Sequence, residues 1–328
     1  MKTKASLSII FVTVFIDLLG FGLLIPILPT FASKELAMSD FQIGMVVAIF
    51  SLMQFIFNPI IGNYSDKIGR RPIILVSLLL TSISYIIFSF AHTFLLLLVS
   101  RMLAGFGGSN IAVAQAYIAD VTTPKERTKG MGMIGAAFGL GFVFGPMLGG
   151  ILSGYGYEVV GYTAAGFSFL AFTFASIFLK ESLVVKSENQ KQSRKFFSIK
   201  SVTEIFEQKR LAFFVLIFFI IVFSMANIYG TFAILAYKVY GFEDRQIGYL
   251  FGIIGLVGAI VQGGLLRQVS KYVSDEKLVI SGIFFMMIGL TGLPYGVNFL
   301  GVAIFGGVLA IGTGILQPTI LGLVSKET

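Results

Sequence analysis

Asp17 is the residue whose type and position most clearly suggest chemistry. The chain contains 16 acidic residues, and Asp17 alone lies deep inside a long apolar run, about 11 residues or roughly 16 Å from its start in a helix. An ion at that depth costs about 2.5–3.5 kcal/mol on insertion scales. We interpret Asp17 as a carboxyl group that loads and releases a proton, with a structural hydrogen-bonding role as the alternative. Pro26 and Pro29 are expected to interrupt this helix and shape a cavity wall.

Arg101 is the basic counterpart of Asp17. It lies about seven positions into another apolar run, so in a helix its guanidinium reaches a depth close to that of Asp17. This placement predicts a pair between the two, either direct or through substrate or water. The alternative is an arginine that extends to the membrane interface. Gly105, Gly107 and Gly108 follow it and allow another helix to approach closely.

The composition places these residues in a membrane protein. Hydrophobic residues make up 56% of the 328 residues and charged residues 12%, against about 45–50% and about 25% in a soluble globular chain. The mean hydropathy is +0.92, which predicts an all-α polytopic membrane protein. The chain has no cysteine, and its single histidine is His92. We therefore expect no metal site or other cofactor, and no enzyme.

Ten apolar runs are long enough to cross a hydrocarbon core about 30 Å thick. They fall at 6–31, 41–62, 72–91, 94–119, 128–153, 158–179, 211–238, 245–266, 277–294 and 297–321. Most of the 24 basic residues lie on one side of these runs, which predicts a cytoplasmic N-terminus. The predicted inward loops are 63–71, 120–128, 180–210 and 267–276. This bias explains the net charge of +8 without a nucleic-acid partner.

A polar stretch at 180–210 divides the chain into two parts. We predict an N-terminal six-helix bundle at 1–180, a cytoplasmic linker at 181–210 and an incomplete C-terminal bundle of four helices at 211–328. The triplet at Gln42 recurs at Gln246, an offset of 204 residues, so the second part repeats the first. The repeat calls for two more helices beyond Thr328, and we expect a truncated chain. A ten-helix protein is the alternative.

Two further segments carry patterned residues. Residues 62–72 read GNYSDKIGRRP and form a tight charged loop between the second and third runs. Residues 135–150 carry glycines at four-residue spacing together with Pro146, and small residues at that spacing allow close helix contact. Gly139 and Gly141 are followed by Gly145 with no preceding strand, so we reject a nucleotide-binding loop.

Together these segments resemble the major facilitator superfamily and, within it, the proton-coupled drug antiporters that include tetracycline and multidrug exporters. GNYSDKIGRRP matches the family's loop motif, RMLAGFGG its fourth-helix motif and GFVFGPMLGG its antiporter motif. The opening FIDLLGFGLLIPILPTF is also similar to the exporters' first helix. The resemblance implies the major facilitator fold, with the first six-helix bundle complete and four helices in the second.

The resemblance also implies roles for particular residues. The resemblance assigns proton coupling to Asp17 and Arg101. The implied gating loop consists of Gly62, Asp66, Gly69, Arg70 and Arg71. The implied antiporter motif consists of Gly141, Gly145, Pro146, Gly149 and Gly150. The expected substrate cavity contains Gln54, Phe138, Phe142, Asn227, Gln262 and Gln317.

The sequence departs from the best-known tetracycline exporters. Ser84 stands where those exporters carry an acidic residue in the third helix, and the eighth and ninth helices hold no intramembrane His, Asp or Glu. The departures favour a lipophilic, cationic drug over a metal–tetracycline complex.

We therefore predict a secondary active transporter that exports small amphipathic drugs by proton antiport. Its expected partners are the small-molecule substrate, protons and the lipid bilayer. We expect it to act as a monomer in the bacterial inner membrane. A metabolite or sugar facilitator of the same fold and an inactive truncated transporter are the alternatives.

Overall fold

The computed structural model describes residues 2–183 and 208–327, and the regular elements in these two ranges are all helices. Ten helical segments among them are long and apolar enough to cross a membrane. The predicted all-α polytopic class is therefore confirmed. Most of the predicted linker at 181–210 lies outside the described residues.

The described residues form twelve α-helices. Their bounds are α1 Lys2–Lys34, α2 Asp40–Ile68, α3 Arg70–Ser89, α4 Phe94–Gly107, α5 Asn110–Val121, α6 Pro124–Leu152, α7 Tyr157–Phe178, α8 Lys209–Tyr240, α9 Asp244–Ile260, α10 Leu266–Val269, α11 Asp275–Gly292 and α12 Phe299–Glu327. A single span contains both α4 and α5, and another continues from α9 through a π-helical turn at Val261–Leu265 into α10.

The repeated triplet has a local structural reason. At the start of α2, the Ser39 backbone N–H donates to Gln42 Oε1 at 2.9 Å, and the Gln42 backbone N–H donates to Ser39 Oγ at 3.4 Å, which is a capping box. At the start of α9, the Glu243 backbone N–H donates to Gln246 Oε1 at 3.0 Å. A glutamine at the equivalent position, Gln42 in one half and Gln246 in the other, thus accepts from a backbone N–H group at the start of its helix.

The first helix is continuous through its two prolines, so the expected interruption at Pro26 and Pro29 was wrong. Each proline removes a backbone donor, yet nearby hydrogen bonds and packing support the helix. Thr30 Oγ1 donates to the carbonyl oxygens of Pro26 and Ile27 at 3.3 and 3.0 Å. Leu23, Ile27 and Thr30 are fully buried, so packing around this part of α1 also holds it helical.

The described chain divides into two compact units. The first contains α1 to α7 together with residues 242–249. Within it, α1 packs along α6 and α7, and α3 packs against α4 and α7. Its hydrophobic core includes Ile10, Leu78, Val113 and Ala171. These helices bury the interior into which Asp17 of α1 projects.

The second unit contains α8, the remainder of α9, and α10 to α12. Helices α11 and α12 pack closely because glycines line their contact: a Cβ added at Gly289 would lie 2.6 Å from Leu309 Cα. Val261, Leu278 and Ile315 form a buried apolar cluster. The π-helical turn between α9 and α10 contains Gln262 and two glycines, which lower the cost of an irregular helix.

Candidate functional site

The Asp17 carboxyl is held by two uncharged side chains. Asn110 Nδ2 donates to Asp17 Oδ2 at 2.9 Å, and Ser168 Oγ donates to Asp17 Oδ1 at 2.9 Å. Asp17, Asn110 and Ser168 are 6%, 4% and 0% exposed. Helices α1, α5 and α7 each contribute one of them, so the site is a buried carboxyl with a neutral hydrogen-bonding shell.

Arg101 is buried beside aromatic rings. Its guanidinium carbon lies 5.6 Å from the ring centroids of both Tyr85 and Phe88, a geometry in which the ring faces attract a cation. Its Nε and Nη2 donate to Ser100 Oγ at 3.3 and 3.2 Å. Among the described residues Arg101 forms no ion pair with Asp17, whose two carboxyl oxygens accept from the neutral donors Asn110 and Ser168. The direct form of the expected pair is therefore absent.

A break in the fourth span brings Asn110 to this site. Helix α4 ends at Gly107 and α5 begins at Asn110. Gln54 Nε2 of α2 donates to the carbonyl oxygen of Gly108 at 3.1 Å, so it satisfies an acceptor within the break. Gln54, expected in the cavity, thus has a structural contact as well. Sequence reasoning did not single out Asn110, although the preceding glycine run was a signal for the break.

The glycines around that break allow helices to approach closely, as expected. A Cβ added at Gly105 would lie 2.8 Å from Met53 Cβ, and one at Gly107 would lie 2.9 Å from the carbonyl oxygen of Ser77. Helix α4 therefore packs tightly against both α2 and α3.

Phe138 and Phe142, both expected in the cavity, belong to an aromatic cluster in the first unit. Their rings stack at 6.1 Å, and Phe142 meets Phe21 edge-on at 6.1 Å. Phe21 in turn stacks on Phe50 at 5.2 Å. All four side chains are half-buried. Phe21 lies one helical turn beyond Asp17, so the cluster begins on the same side of α1 as the carboxyl.

The glycines of the expected antiporter motif pack against α1. Gly141, Gly145 and Gly149 recur at four-residue spacing on α6, and a Cβ at Gly145 would lie only 2.6 Å from Gly22 Cα. A Cβ at Gly141 would lie 2.9 Å from Leu18 Cβ. The contact surrounds the residues next to Asp17, so these glycines set how closely α6 approaches the site.

The last part of the motif contacts residues 242–249. A Cβ at Gly150 would lie 2.5 Å from the carbonyl oxygen of Asp244, and the Pro146 carbonyl lies against Gly248. Asp244 is buried and accepts from Lys34 Nζ at 3.2 Å and from Tyr157 Oη at 2.7 Å. This polar contact was not predicted, because Asp244 lies far from both partners in sequence.

The expected gating loop forms a polar cluster at the junction of α2 and α3. Arg70 is buried and forms ion pairs with Asp66 and with Asp120 of α5, the latter at 3.0 Å. The Arg71 guanidinium donates to the carbonyl oxygen of Ser176 at 2.7 Å. A Cβ at Gly62 would meet open space. The expected loop at 62–72 was wrong, because α2 continues to Ile68 and α3 begins at Arg70, which leaves only Gly69 between them. The contacts of this segment join α2, α3, α5 and α7 within the first unit.

Glu181, just after α7, caps the start of α3. Its Oε1 and Oε2 accept from the backbone N–H groups of Arg70 and Arg71 at 2.8 and 3.1 Å. Partial burial opposes ionisation, but hydrogen bonds from backbone N–H groups outweigh it and lower the pKa of Glu181 below its ordinary value. Gly69 has φ +117° and leaves room for this carboxylate, so a side chain there would be both strained and blocked.

The remaining expected cavity residues belong to the second unit. Asn227 is exposed and donates to the carbonyl oxygen of Phe223 in its own helix at 2.9 Å. Gln262 is exposed within the π-helical turn, and Gln317 is half-buried in α12. An apolar cleft of about 370 Å³ in this unit is lined by other residues, including Ile217, Ser224 and Met286. The expected role of Asn227, Gln262 and Gln317 in binding substrate stays a prediction.

The ten membrane-length helical segments among the described residues indicate a multi-pass membrane protein. The profile of the Major Facilitator Superfamily matches residues 10–328, and the chain belongs to that family. The resemblance and the fold class predicted from the motifs are thereby confirmed.

Resistance proteins are among the curated relatives. The chain is 29% identical over 281 residues to Multidrug resistance protein 2 of Bacillus subtilis (strain 168). This aligned region spans 85% of this chain and 70% of the relative. It is 30% identical over 280 residues to the class E Tetracycline resistance protein of Escherichia coli, spanning 83% and 68%. Among solved structures, the human organic anion transporter MFSD10 (TETRAN) has a TM-score of 0.71 at 22% identity and covers 98% of this chain and 86% of its own. It shares the fold.

Proposed function

We propose that the chain is a secondary transporter that exports small amphipathic drugs in exchange for protons. The observation that carries the proposal is the Asp17 carboxyl, buried in the first unit between two neutral partners. A carboxylate without a cationic partner is expensive at membrane depth. It therefore gains or loses its charge when the site opens to water, and that change of charge is the coupling event.

The aromatic cluster beside Asp17 supports a lipophilic cation as the substrate class. Phe21, Phe50, Phe138 and Phe142 offer ring faces that bind apolar and cationic groups. The ionised form of Asp17 adds attraction for positive charge. The names of the two relatives, a multidrug and a tetracycline resistance protein, also favour drug export.

In this proposal proton and substrate compete for one site. Ionised Asp17 favours binding of the cation from one side of the membrane, and protonation on the other side removes that attraction and releases the cation. The two halves expose the site alternately, as in other transporters built from repeats. The membrane potential contributes about 2.3 kcal/mol per net charge moved per 100 mV.

The orientation and location are part of the same proposal. Because most basic residues flank one side of the spans, the N-terminus lies in the cytoplasm, and the membrane is the bacterial inner membrane. The loop around Asp66 and Arg70 is then cytoplasmic and acts as the inner gate, and the chain works as a monomer.

The test is gradient-driven transport of a fluorescent cationic dye in proteoliposomes. The reconstituted chain should accumulate dye when the lumen is acidic, and accumulation should stop when a protonophore removes the gradient. Asp17→Asn should abolish the gradient-driven part because it keeps the shape and removes the proton site. Unchanged gradient-driven accumulation in Asp17→Asn would show that the coupling proton is carried elsewhere.

A further inference from the structure

We propose that Asn110 and Ser168 are positioning residues that hold the Asp17 carboxyl in one place in both its charged and its neutral form. When Asp17 is protonated, the side-chain amide of Asn110 rotates by half a turn, so that its Nδ2 and Oδ1 atoms exchange places. The side chains of Asp17, Asn110 and Ser168 stay in contact. The inference rests on the proposed function and deepens it, because it states how one buried site accommodates both protonation states.

Close helix packing places the two partners. A Cβ added at Gly20 would lie 3.0 Å from the carbonyl oxygen of Ala164 and 3.4 Å from Ser168 Oγ, so the absence of a side chain at Gly20 lets α7 reach α1. The break after Gly107 places Asn110 at the start of α5. The backbone geometry thus places Asn110 and Ser168 beside Asp17, with Asn110 Nδ2 and Ser168 Oγ each 2.9 Å from a carboxyl oxygen.

The contacts as observed suit the charged form. An ionised carboxylate accepts hydrogen bonds and donates none. The Asn110 amide donates to Oδ2 and the Ser168 hydroxyl donates to Oδ1. Each oxygen therefore has a donor, which buried polar groups require.

The neutral form needs one acceptor, and Asn110 has an unused one. Its Oδ1 atom is buried and has no hydrogen-bond partner among residues 2–183 and 208–327. A half-turn of the amide exchanges Nδ2 and Oδ1. A hydronium ion that reaches the opened site then transfers a proton to Asp17 Oδ2 and becomes water. The new hydroxyl donates to Asn110 Oδ1, and the earlier N–H donation to Oδ2 is lost. The Ser168 contact is unchanged.

Both partners can donate and accept, which distinguishes them from a basic partner. An arginine or lysine only donates, so it would favour the charged form alone. Tyr85 interacts electrostatically with Asp17, and Arg101 in turn lies over the Tyr85 ring, 5.6 Å from its centroid. Helix α6 beyond Lys129 and α7 beyond Tyr162 carry no ionisable side chain. The neutral shell therefore leaves the carboxyl free to change its charge.

The test is acid-minus-alkaline infrared difference spectroscopy on the full chain in proteoliposomes. A carbonyl band of the protonated carboxyl should appear and be lost in Asp17→Asn, which assigns it. In Asn110→Leu and in Ser168→Ala the band should shift to higher wavenumber, because its hydrogen bonding weakens. The Asn110 amide carbonyl should also contribute to the difference spectrum, and Asn110→Leu should remove that contribution.

Two variants serve as controls. Ser82→Ala removes another buried hydroxyl, one that donates to the Ala165 carbonyl of the same α7 at 3.0 Å, and should leave the Asp17 band in place. Ser168→Thr keeps a hydroxyl and should restore the band position lost in Ser168→Ala. If Asn110→Leu does not fold, the Ser168 pair of variants carries the test.

The outcomes separate the inference from the function on which it rests. An Asp17 band that stays in place in both Asn110→Leu and Ser168→Ala would overturn the positioning role and leave proton coupling intact. A difference spectrum without any Asp17 band would show that the carboxyl does not titrate, which overturns the proposed function and the inference together.

Discussion

At the residue scale, Glu181 shows how one side chain defines the edge of a bundle. Its carboxylate accepts from the first two backbone N–H groups of α3, where the helix dipole favours negative charge. The side chain follows α7 directly and ties the end of that helix to the start of α3. Sequence reasoning identified the charged loop but not this contact, because nothing local to residues 62–72 indicates that the capping group comes from a residue more than a hundred positions away.

This cap predicts a pH-dependent stability. The pKa of Glu181 is lowered in the folded chain, so its contribution is present above the ordinary glutamate value of 4.5 and is lost as the pH falls through the folded pKa. Glu181 is exposed, so we expect a loss of only about 0.5–1 kcal/mol in Glu181→Gln at neutral pH. The measurement is thermal unfolding in detergent from pH 7 to pH 3.

The exposed Glu35→Gln provides the control for this series and should unfold as the parent chain does. The difference between the parent and Glu181→Gln should shrink on acidification. A difference that stays constant across this range would show that the charge of Glu181 does not stabilise α3.

At the element scale, α6 lies close to α1 because three of its glycines face that helix. Sequence spacing predicted such close packing, and Gly141, Gly145 and Gly149 show it. It did not predict which glycines take part: a Cβ at Gly135 or Gly139 would meet nothing within 4 Å. Choosing the face requires knowing the partner helix, and that information lies in the tertiary packing rather than in the motif.

The difference between these glycines gives a matched pair of variants. In Gly145→Ala the new Cβ would press on the backbone of Gly22, so we expect a loss of about 1–3 kcal/mol in unfolding free energy. In Gly139→Ala the Cβ has room, and helix propensity favours the change by about 0.5–1 kcal/mol. Thermal unfolding in detergent distinguishes them. Equal stability of both variants would contradict the close contact between α1 and α6.

At the scale of the whole molecule, the sequence predicted the number of spans and the helical class because hydrophobic length is a strong signal. It did not predict that residues 242–249 belong to the first unit. That placement depends on the contacts of Asp244 with Gly150, Lys34 and Tyr157. Contacts between residues so far apart in the chain produce no periodic pattern in the sequence. The break that brings Asn110 to Asp17 is a similar case, since glycines permit a break without requiring one.

The contacts of Asp244 predict a cost for its neutralisation. Asp244→Asn removes the ion pair with the partly buried Lys34 and weakens the bond from Tyr157. We expect a loss of about 1–3 kcal/mol, below the full value for a deeply buried pair because the Lys34 side chain is 24% exposed. Glu243→Gln changes the adjacent exposed acid and should be neutral. Thermal unfolding that does not separate the two variants would refute this role.

The proposed orientation predicts opposite labelling at the two ends of α3. The chain has no native cysteine, so single cysteines can be introduced at the exposed positions Lys67 and His92. An impermeant thiol reagent added to intact cells should label His92→Cys and should label Lys67→Cys only after the membrane is opened. The reverse pattern would contradict a cytoplasmic N-terminus.

The most direct test of the account measures proton and dye movement in the same proteoliposomes. A pulse of cationic dye should drive proton movement in the opposite direction through the parent chain, reported by a pH-sensitive dye in the lumen. In Asp17→Asn the addition of dye should move no protons, while Ser82→Ala should behave as the parent. Proton movement that persists in Asp17→Asn would contradict the assignment of coupling to this carboxyl.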